Sequence, residues 1–282
     1  MKKNKLGQFN KTVLISALLI EITTGAQAAT IDVDGVTCTF NDAVTAANLD
    51  TATGGCTAGS GADVLELPAD TTLTLTGVSD VNSDVTINGN GSTLDAAGAD
   101  RVLRVGQSNY GGAGDLTIND TTISNGYSIN NNGTDVANFG AGVRAYNGST
   151  LIISNSTISN NNGGGVMFSA SNGGVYNSVI KDNVSGNGFY GAGLSISASS
   201  VIVSNSTISA NNDELASGGG GIYVTNYGGA ANLQIMNSTI SGNKTLNNGG
   251  GIHHVDYGNV TNISLTNVTL VNNTSTGDGG GL

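Results

Sequence analysis

The sequence contains no tryptophan, one proline and two cysteines among its 282 residues. Charged side chains are scarce at 10% of the composition, with nine Lys and Arg against twenty Asp and Glu. Proteins bind nucleic acids and anionic lipid headgroups through Lys and Arg, which displace counterions. The shortage of basic residues therefore argues against both, and we expect no nucleic-acid partner.

The sequence also lacks a long apolar run. Residues 13–20 are apolar but are followed by Glu21, whereas a membrane-spanning helix needs roughly 20 apolar residues. Four lysines precede this run, and the A-x-A pattern Ala26-Gln27-Ala28 follows it. Residues 1–28 are therefore predicted to be a signal peptide of an exported protein, with a membrane anchor as the alternative. We expect no transmembrane helix elsewhere in the chain.

Removal of residues 1–28 leaves five basic residues against nineteen acidic ones, a formal charge of −14. Such a charge keeps an exported chain soluble, and it can also attract divalent cations. We expect no cofactor, with weak Ca²⁺ binding as the alternative.

Glycine is abundant, with 44 residues, and much of it belongs to an internal repeat. Six similar segments of alternating apolar residues cover residues 116–124, 151–159, 174–181, 201–209, 233–241 and 263–271. Each is followed by a glycine-rich motif, at residues 140–143, 163–166, 191–194, 219–222, 249–252 and 279–282. The last glycines of successive motifs lie 23, 28, 28, 30 and 30 residues apart. One structural unit therefore recurs along the chain.

The apolar stretches within each unit alternate with period two and are rich in β-branched residues, which is typical of short strands. Because the units repeat in the same order and direction, each strand is expected to pair in parallel with its equivalent in the next unit. The predicted fold is all-β: a right-handed, single-stranded parallel β-helix, or solenoid, covering residues 76–282.

An asparagine recurs in the first motif, at the expected bend between two strands, and it tolerates left-handed backbone angles. Stacked asparagines can also hydrogen-bond along a column, so an internal ladder is predicted. Its members are Asn119, Asn155, Asn177, Asn205, Asn237 and Asn267. N-glycosylation of the Asn-Ser-Thr sequences is the alternative. The glycine motifs are expected to form the next corner.

Residues 29–75 differ from the repeat and are predicted to be an N-terminal cap. Thr39 or Asn41 can cap a short helix with an apolar stripe, which would cover the open end of the first coil. Cys38 and Cys56 are predicted to form a disulfide that closes a loop of about 19 residues. A metal site is the alternative for the two cysteines.

The cap sequence resembles the N-terminal module, beginning Cys-Ser-Leu-Arg-Glu-Ala-Ile, of bacterial exported β-helix proteins. Ala43 matches that heptad, whereas Asn41 replaces its arginine. The similar residues are 38–44, 46–48, 54–56, 59–63 and 67–68.

The glycine motifs and the Ile-x-x-Asn sequences resemble repeats of polymorphic outer membrane proteins and autotransporter passengers. These sequences lie at residues 158–161, 208–211 and 240–243, with Leu-x-x-Asn at 270–273, where that family has Phe-x-x-Asn. The two resemblances imply an extracellular or outer-membrane-surface location and an adhesive role, with a host or matrix glycan or protein as partner.

Parallel β-helices also include polysaccharide lyases and hydrolases of the pectate-lyase-like group. Such enzymes need a strong base beside carboxylates, or paired carboxylates, brought together by the coil spacing. The acids of the repeat share no common register with the basic residues Arg101, Arg104, Arg144, Lys181 and Lys244. We therefore expect a non-catalytic scaffold, assign no catalytic residues, and keep an enzyme as the alternative.

Several tyrosines near the glycine motifs are expected to be exposed. They form a candidate binding stripe for a sugar or a protein, because tyrosine combines apolar area with a polar tip. Packing at the coil corners is the alternative role. The stripe consists of Tyr146, Tyr190, Tyr223, Tyr227 and Tyr257.

The sequence ends within a glycine motif, at residue 282. We expect further C-terminal coils or an anchoring domain, because an open parallel edge invites pairing with another chain.

Overall fold

A computed structural model describes residues 27–106, 114–128, 140–185, 190–214 and 218–282. Only the last two residues of the predicted signal peptide fall within this range, and residues 1–26 lie outside it.

The described residues form short strands that stack into four parallel sheets, which we number in the order a coil visits them. Sheet 1 contains β1 (Thr30–Asp32), β2 (Asp63–Glu66), β5 (Val85–Asn88), β8 (Leu116–Asn119), β11 (Thr150–Ser154), β14 (Asn172–Tyr176), β18 (Ser200–Ser204), β22 (Ala231–Met236) and β26 (Thr261–Thr266). Sheet 2 contains β3 (Thr72–Thr74), β6 (Thr93–Asp95), β9 (Thr122–Ser124), β12 (Thr157–Ser159), β15 (Val179–Lys181), β19 (Thr207–Ser209), β23 (Thr239–Ser241) and β27 (Thr269–Val271).

The other two sheets complete each coil. Sheet 3 is short and contains β16 (Val184–Ser185), β20 (Asn212–Asp213), β24 (Lys244–Thr245) and β28 (Thr274–Ser275). Sheet 4 contains β4 (Ser79–Val81), β7 (Leu103–Val105), β10 (Val143–Tyr146), β13 (Val166–Ser169), β17 (Leu194–Ser197), β21 (Ile222–Thr225) and β25 (Ile252–Val255).

The core consists of columns of aliphatic side chains, one residue per coil. In sheet 1 the register aligns Ile31, Leu65, Ile87, Ile118, Ile153, Val175, Val203, Ile235 and Leu265. In sheet 2 it aligns Leu73, Leu94, Ile123, Ile158, Ile180, Ile208, Ile240 and Leu270. Period-two alternation turns these residues inward and their polar neighbours outward. The predicted fold of stacked parallel strands is confirmed.

The asparagines at the bend after sheet 1 do adopt left-handed backbone angles. φ lies between 49° and 53° at Asn155, Asn177, Asn205, Asn237 and Asn267. Their side chains, however, are exposed, so the prediction that they form an internal ladder is wrong. The left-handed residue interrupts the alternation, and the next residue points inward instead. In four coils that residue is a buried serine: Ser156, Ser178, Ser206 and Ser238.

Asn119, predicted to belong to the same column, lies one position out of register with it. It pairs with Ser154 rather than with Asn155, and it is half-buried on β8. Asp120 takes the left-handed bend in this coil, with φ of 47°. Asn119 therefore does not belong to the bend column.

A different asparagine column forms the internal ladder. It consists of Asn161, Asn183, Asn211, Asn243 and Asn273, each three residues after the sheet 2 core residue. In Asn211 the Nδ2 donates to Oδ1 of Asn243 at 2.9 Å and to the carbonyl of Ile180 at 3.1 Å. Its Oδ1 accepts the backbone N–H and the side-chain N–H of Asn183. The buried amide thus satisfies all four of its hydrogen-bonding positions.

The last glycine of each of the first five motifs provides space for this ladder. A Cβ atom placed on Gly193 would lie 2.9 Å from Nδ2 of Asn211 and 2.5 Å from the carbonyl oxygen of Gly221. Gly165 and Gly221 stand in the same relation to Asn183 and Asn243, also at 2.9 Å. Glycine is therefore required here by the close approach of the ladder.

Helix α1 (Phe40–Leu49) covers the N-terminal end of the coil, as predicted. The Thr39 side chain accepts a hydrogen bond from the backbone N–H of Asp42 and so caps the helix. Phe40, Ala43 and Val44 are buried on the face turned to the core. A cap of this kind shields the first coil from water.

Polar contacts and the predicted disulfide fix the cap. Asn41 donates to Oγ of Ser79 at 3.0 Å. The disulfide between Cys38 and Cys56 is confirmed. In the preceding loop the Thr37 hydroxyl and nearby backbone N–H groups donate to Asp34, and these hydrogen bonds lower the pKa of that carboxyl to about 2.

The two asparagine columns make different predictions for substitution. Asn211→Ala leaves buried partners unpaired and is expected to destabilise the protein by about 2–4 kcal/mol. Asn205→Ala affects an exposed residue, and Ala198 and Ala210 already adopt left-handed angles in this chain, so it should cost about 1 kcal/mol. Urea denaturation measures both. Equal decreases in the free energy of unfolding of the two variants would contradict the assignment of the ladder.

Removal of the disulfide should loosen the cap more than the coils. In the double variant Cys38→Ser/Cys56→Ser, the entropy of the opened loop is expected to cost about 3 kcal/mol. Hydrogen exchange of the α1 amides measures this loss, and amides of β19 serve as the internal reference. Unchanged exchange in α1 would show that helix packing alone holds the cap.

Candidate functional site

The outer face of sheet 4 carries a column of polar and aromatic side chains. Parallel register places one side chain from each strand in it: Asp80, Arg104, Arg144, Met167, Ser195, Tyr223 and His253. We call this set the sheet 4 column. The inner face of the same sheet carries apolar residues such as Val105, Phe168 and Val224, which belong to the core.

The N-terminal half of the sheet 4 column is charged. Arg104 donates from both Nε and Nη2 to the two carboxylate oxygens of Asp80, a bidentate pair. The guanidinium carbon of Arg144, one coil further, lies 4.7 Å from the centroid of the Tyr146 ring. This distance is within the range of a cation–π interaction.

The expectation that acids and bases share no register is therefore wrong for this column. Asp80, Arg104 and Arg144 occupy equivalent positions on β4, β7 and β10. Asp80 and Arg104 lie 24 residues apart, a spacing typical of the other coils. Arg104 and Arg144 lie 40 residues apart, and this longer interval hides their common register. Both arginines lie between two apolar residues of their strands, and this alternation was the usable signal.

The C-terminal half of the column is aromatic. The rings of Tyr190 and Tyr223 stack with their centroids 4.6 Å apart, and His253 meets Tyr223 edge-on at 5.7 Å. Tyr223 is only 2% exposed, whereas Tyr190 is 38% exposed. Burial, helped by the nearby Tyr257 and Tyr190 phenols, raises the pKa of Tyr223 far above its ordinary value.

A second aromatic pair lies on the turns that lead from sheet 4 back to sheet 1. Tyr227 and Tyr257 meet edge to face, with centroids 5.3 Å apart, and are 69% and 55% exposed. The turn is braced from within, because Oδ1 of the buried Asn226 accepts from the backbone N–H of Tyr257 at 2.6 Å.

Asn226 also fixes the neighbouring carboxylate. Its Nδ2 donates to Oδ1 of Asp256 at 2.7 Å, and the backbone N–H of Gly258 donates to the same oxygen. These two hydrogen bonds are the main reason that the pKa of Asp256 is lowered. The exposed tyrosine pair thus lies beside a turn that hydrogen bonds hold in place and that carries the negative charge of Asp256.

The five predicted tyrosines do not form one exposed stripe. Tyr146 packs with Arg144, Tyr190 stacks on Tyr223, and Tyr227 packs with Tyr257. The expectation that Tyr223 is exposed is wrong, because it stands on the sheet itself and neighbouring side chains cover it. We call Tyr190, Tyr223, Tyr227, Tyr257 and His253 the aromatic face.

Within the ranges that the structure describes, no three His, Cys, Asp or Glu side chains are grouped so that they could hold a metal ion. In the same ranges, no helix has both the length and the apolar character needed to cross a membrane.

Comparison with known proteins identifies the family. Residues 75–275 match the family model described as the right handed beta helix region. The chain belongs to the right-handed β-helix family. The match begins just after β3 and extends to the end of β28, and it gives the coil its hand. No curated protein and no solved structure gave a significant match to this β-helix.

The buried Tyr223 phenol predicts a specific pH dependence. Its pKa is raised above the value of 10.0 that it has when unfolded, so the folded chain retains a proton that the unfolded chain loses. The stability that the protonated Tyr223 phenol contributes is complete below pH 10. Above pH 10 the free energy of unfolding decreases, by no more than about 1.4 kcal/mol per pH unit.

Urea denaturation between pH 8 and pH 11 compares the protein with Tyr223→Phe. Phenylalanine keeps the ring but cannot ionise, so the stability difference between the two proteins should shift in favour of the variant above pH 10. A difference in the free energy of unfolding that stays constant from pH 8 to pH 11 would contradict this effect.

Proposed function

We propose that this β-helix is an exported or cell-surface scaffold that binds a glycan or a protein through its aromatic face and performs no catalysis. The observation that carries the proposal is the Tyr227–Tyr257 pair, exposed on a turn that Asn226 holds in place. Exposed tyrosines on a rigid support provide contact area at little entropic cost.

The surroundings of the pair suit a partner that approaches from the side of sheet 4. Tyr190 offers a further partly exposed ring, and its base is fixed by the buried Tyr223. Rings held at fixed spacing along successive coils suit a repetitive partner such as an extended glycan, whose sugar rings can stack on them. A protein partner would use the same rings as anchors.

Export is supported by two features of the chain. A disulfide closes the cap, and disulfides persist in oxidising compartments outside the cytosol. The first 28 residues have the basic, apolar and small-residue order of a signal peptide. We extend the proposal to a cell-surface location, on the resemblance of the cap to exported β-helix modules and of the repeats to autotransporter passengers.

An alternative function is cleavage of an acidic polysaccharide along the N-terminal half of the sheet 4 column. Arg104 and Arg144 stand on adjacent strands of one outer face, where they could contact a run of carboxylates. Both arginines are engaged, with Asp80 and Tyr146, so the scaffold is the preferred function.

An array of glycans and matrix proteins tests the scaffold. The double variant Tyr227→Ala/Tyr257→Ala should lose binding by at least about tenfold, as expected for central aromatic anchors. Tyr176→Ala, on the outer face of sheet 1, is the matched control and should bind normally. No binding by the unaltered protein, or equal binding by all three, would refute the proposal.

Incubation with acidic polysaccharides tests the enzyme. Unsaturated products or new reducing ends that disappear in Arg144→Gln would support cleavage and overturn the non-catalytic assignment.

A further inference from the structure

A buried carboxylate lies beside Ala29, the residue at which the predicted mature chain would start. Asp63, the first residue of β2, is 1% exposed. Its Oδ1 accepts hydrogen bonds from the backbone N–H of Ala29 at 3.2 Å and of Ser60 at 2.7 Å. Its Oδ2 is buried and has no hydrogen-bond partner among the described residues. A buried carboxylate with one unpaired oxygen destabilises the folded protein unless a positive charge compensates it.

The position of Ala29 relative to Asp63 is set by the fold. The Ala29 carbonyl accepts from the backbone N–H of Val64 at 2.8 Å, which continues the pairing of β1 with β2. A Cβ atom on Gly59 would lie 2.5 Å from Oδ2 of Asp63 and 2.8 Å from Cα of Ala47 in α1. The carboxylate is therefore enclosed between the cap and the first strand pair.

The basic side chains that follow residue 28 are engaged or placed elsewhere. Arg101 donates to Gly140, Arg104 to Asp80, Arg144 packs on Tyr146, Lys181 pairs with Asp182, and Lys244 lies on sheet 3. Within the described residues, none of them forms an ion pair with Asp63. An N-terminal amine at Ala29 would supply the missing charge at hydrogen-bonding distance.

We infer that Asp63 is the acceptor for the α-ammonium group released when a peptidase cuts the chain before Ala29. Hydrolysis of the Ala28–Ala29 peptide bond consumes one water molecule, leaves a carboxylate on Ala28 and leaves an ammonium group on Ala29. That group has a positive charge and three N–H donors, where the intact chain has one neutral N–H. The new terminus pairs with Asp63 and anchors β1 under the cap.

The bond to be cut is accessible in the described structure. Gln27 and Ala28 are exposed, whereas Ala29 is half-buried. The inference rests on the proposed export of the chain, because export supplies the signal-peptidase class of enzyme. The inference adds a role for Asp63: through this residue, removal of the signal peptide stabilises the cap.

The test uses the full chain with a specific protease recognition sequence placed immediately before Ala29. Hydrogen exchange of the Val33 and Val64 amides, which join β1 to β2, is measured before and after cleavage. Cleavage is expected to slow this exchange by at least about tenfold, because it replaces a neutral contact with a buried ion pair. Asp63→Asn should abolish the change, and Asp84→Asn, an exposed acid whose carbonyl accepts from the Asp63 N–H, should retain it.

Selective acetylation of the cleaved Ala29 amine provides a second measurement that leaves Asp63 in place. Acetylation should restore the faster exchange, and this readout remains valid where Asp63→Asn fails to fold. Unchanged exchange on cleavage, or slowing that survives either Asp63→Asn or acetylation, would overturn the assignment of Asp63.

Sequencing of the N-terminus of the exported protein separates this inference from the proposed export. A mature chain that starts at Ala29 supports the link between processing and the ion pair. A mature N-terminus at another residue would overturn the link between processing and the ion pair, even where the protease-cleaved chain forms the pair. If the protein is not exported, the exchange measurements alone decide whether Asp63 accepts the ammonium group.

Discussion

The buried asparagines and serines of the coil depend on hydrogen bonds with the equivalent residue of the neighbouring coil, directly above or below them. The asparagine ladder shows this constraint most clearly, because each buried amide bonds to the next asparagine and to a backbone carbonyl. A coil shifted by one residue would leave these groups unpaired in the interior. The same constraint selects glycine as the third residue of the first five motifs, where the ladder leaves no room for a Cβ atom.

The fold could be predicted from the sequence because its repeat is carried by many residues at once. Errors in single positions, such as the alignment of Asn119, do not alter the order of the strands. The identity of the ladder could not be obtained in the same way. Left-handed bends recur within each coil, as at Asn155 and Asn160. They reset the alternation of inner and outer side chains, so counting by twos fails across them. The constant spacing from Ile208 to Asn211 in each coil was the usable signal.

The candidate site was predicted less completely, for a related reason. The tyrosines were found by residue type, but their grouping depends on which strand or turn carries each one. Tyr223 lies on a strand and is buried, whereas Tyr227, only four residues later, lies on a turn and is exposed. In the charged half of the sheet 4 column, Asp80 and Arg104 lie 24 residues apart, like equivalent residues of other coils. The register of Arg144 can be seen only when the long segment before Val143 is set aside. Position on the coil, more than composition, decides the role of each aromatic residue.

Two segments of each coil, one before and one after the ladder asparagine, differ in how much their number of residues varies between coils. From the sheet 1 core residue to the ladder asparagine the count is eight residues in every coil from Ile153 onward. From the ladder asparagine to the last glycine of the motif it is 4, 10, 10, 8 and 8 residues, while the contact between the two columns is kept. Insertions and deletions can therefore accumulate on one flank without disturbing the stacked interior. That flank is where new recognition loops can be acquired in evolution, or grafted by design, on a frame that stays the same.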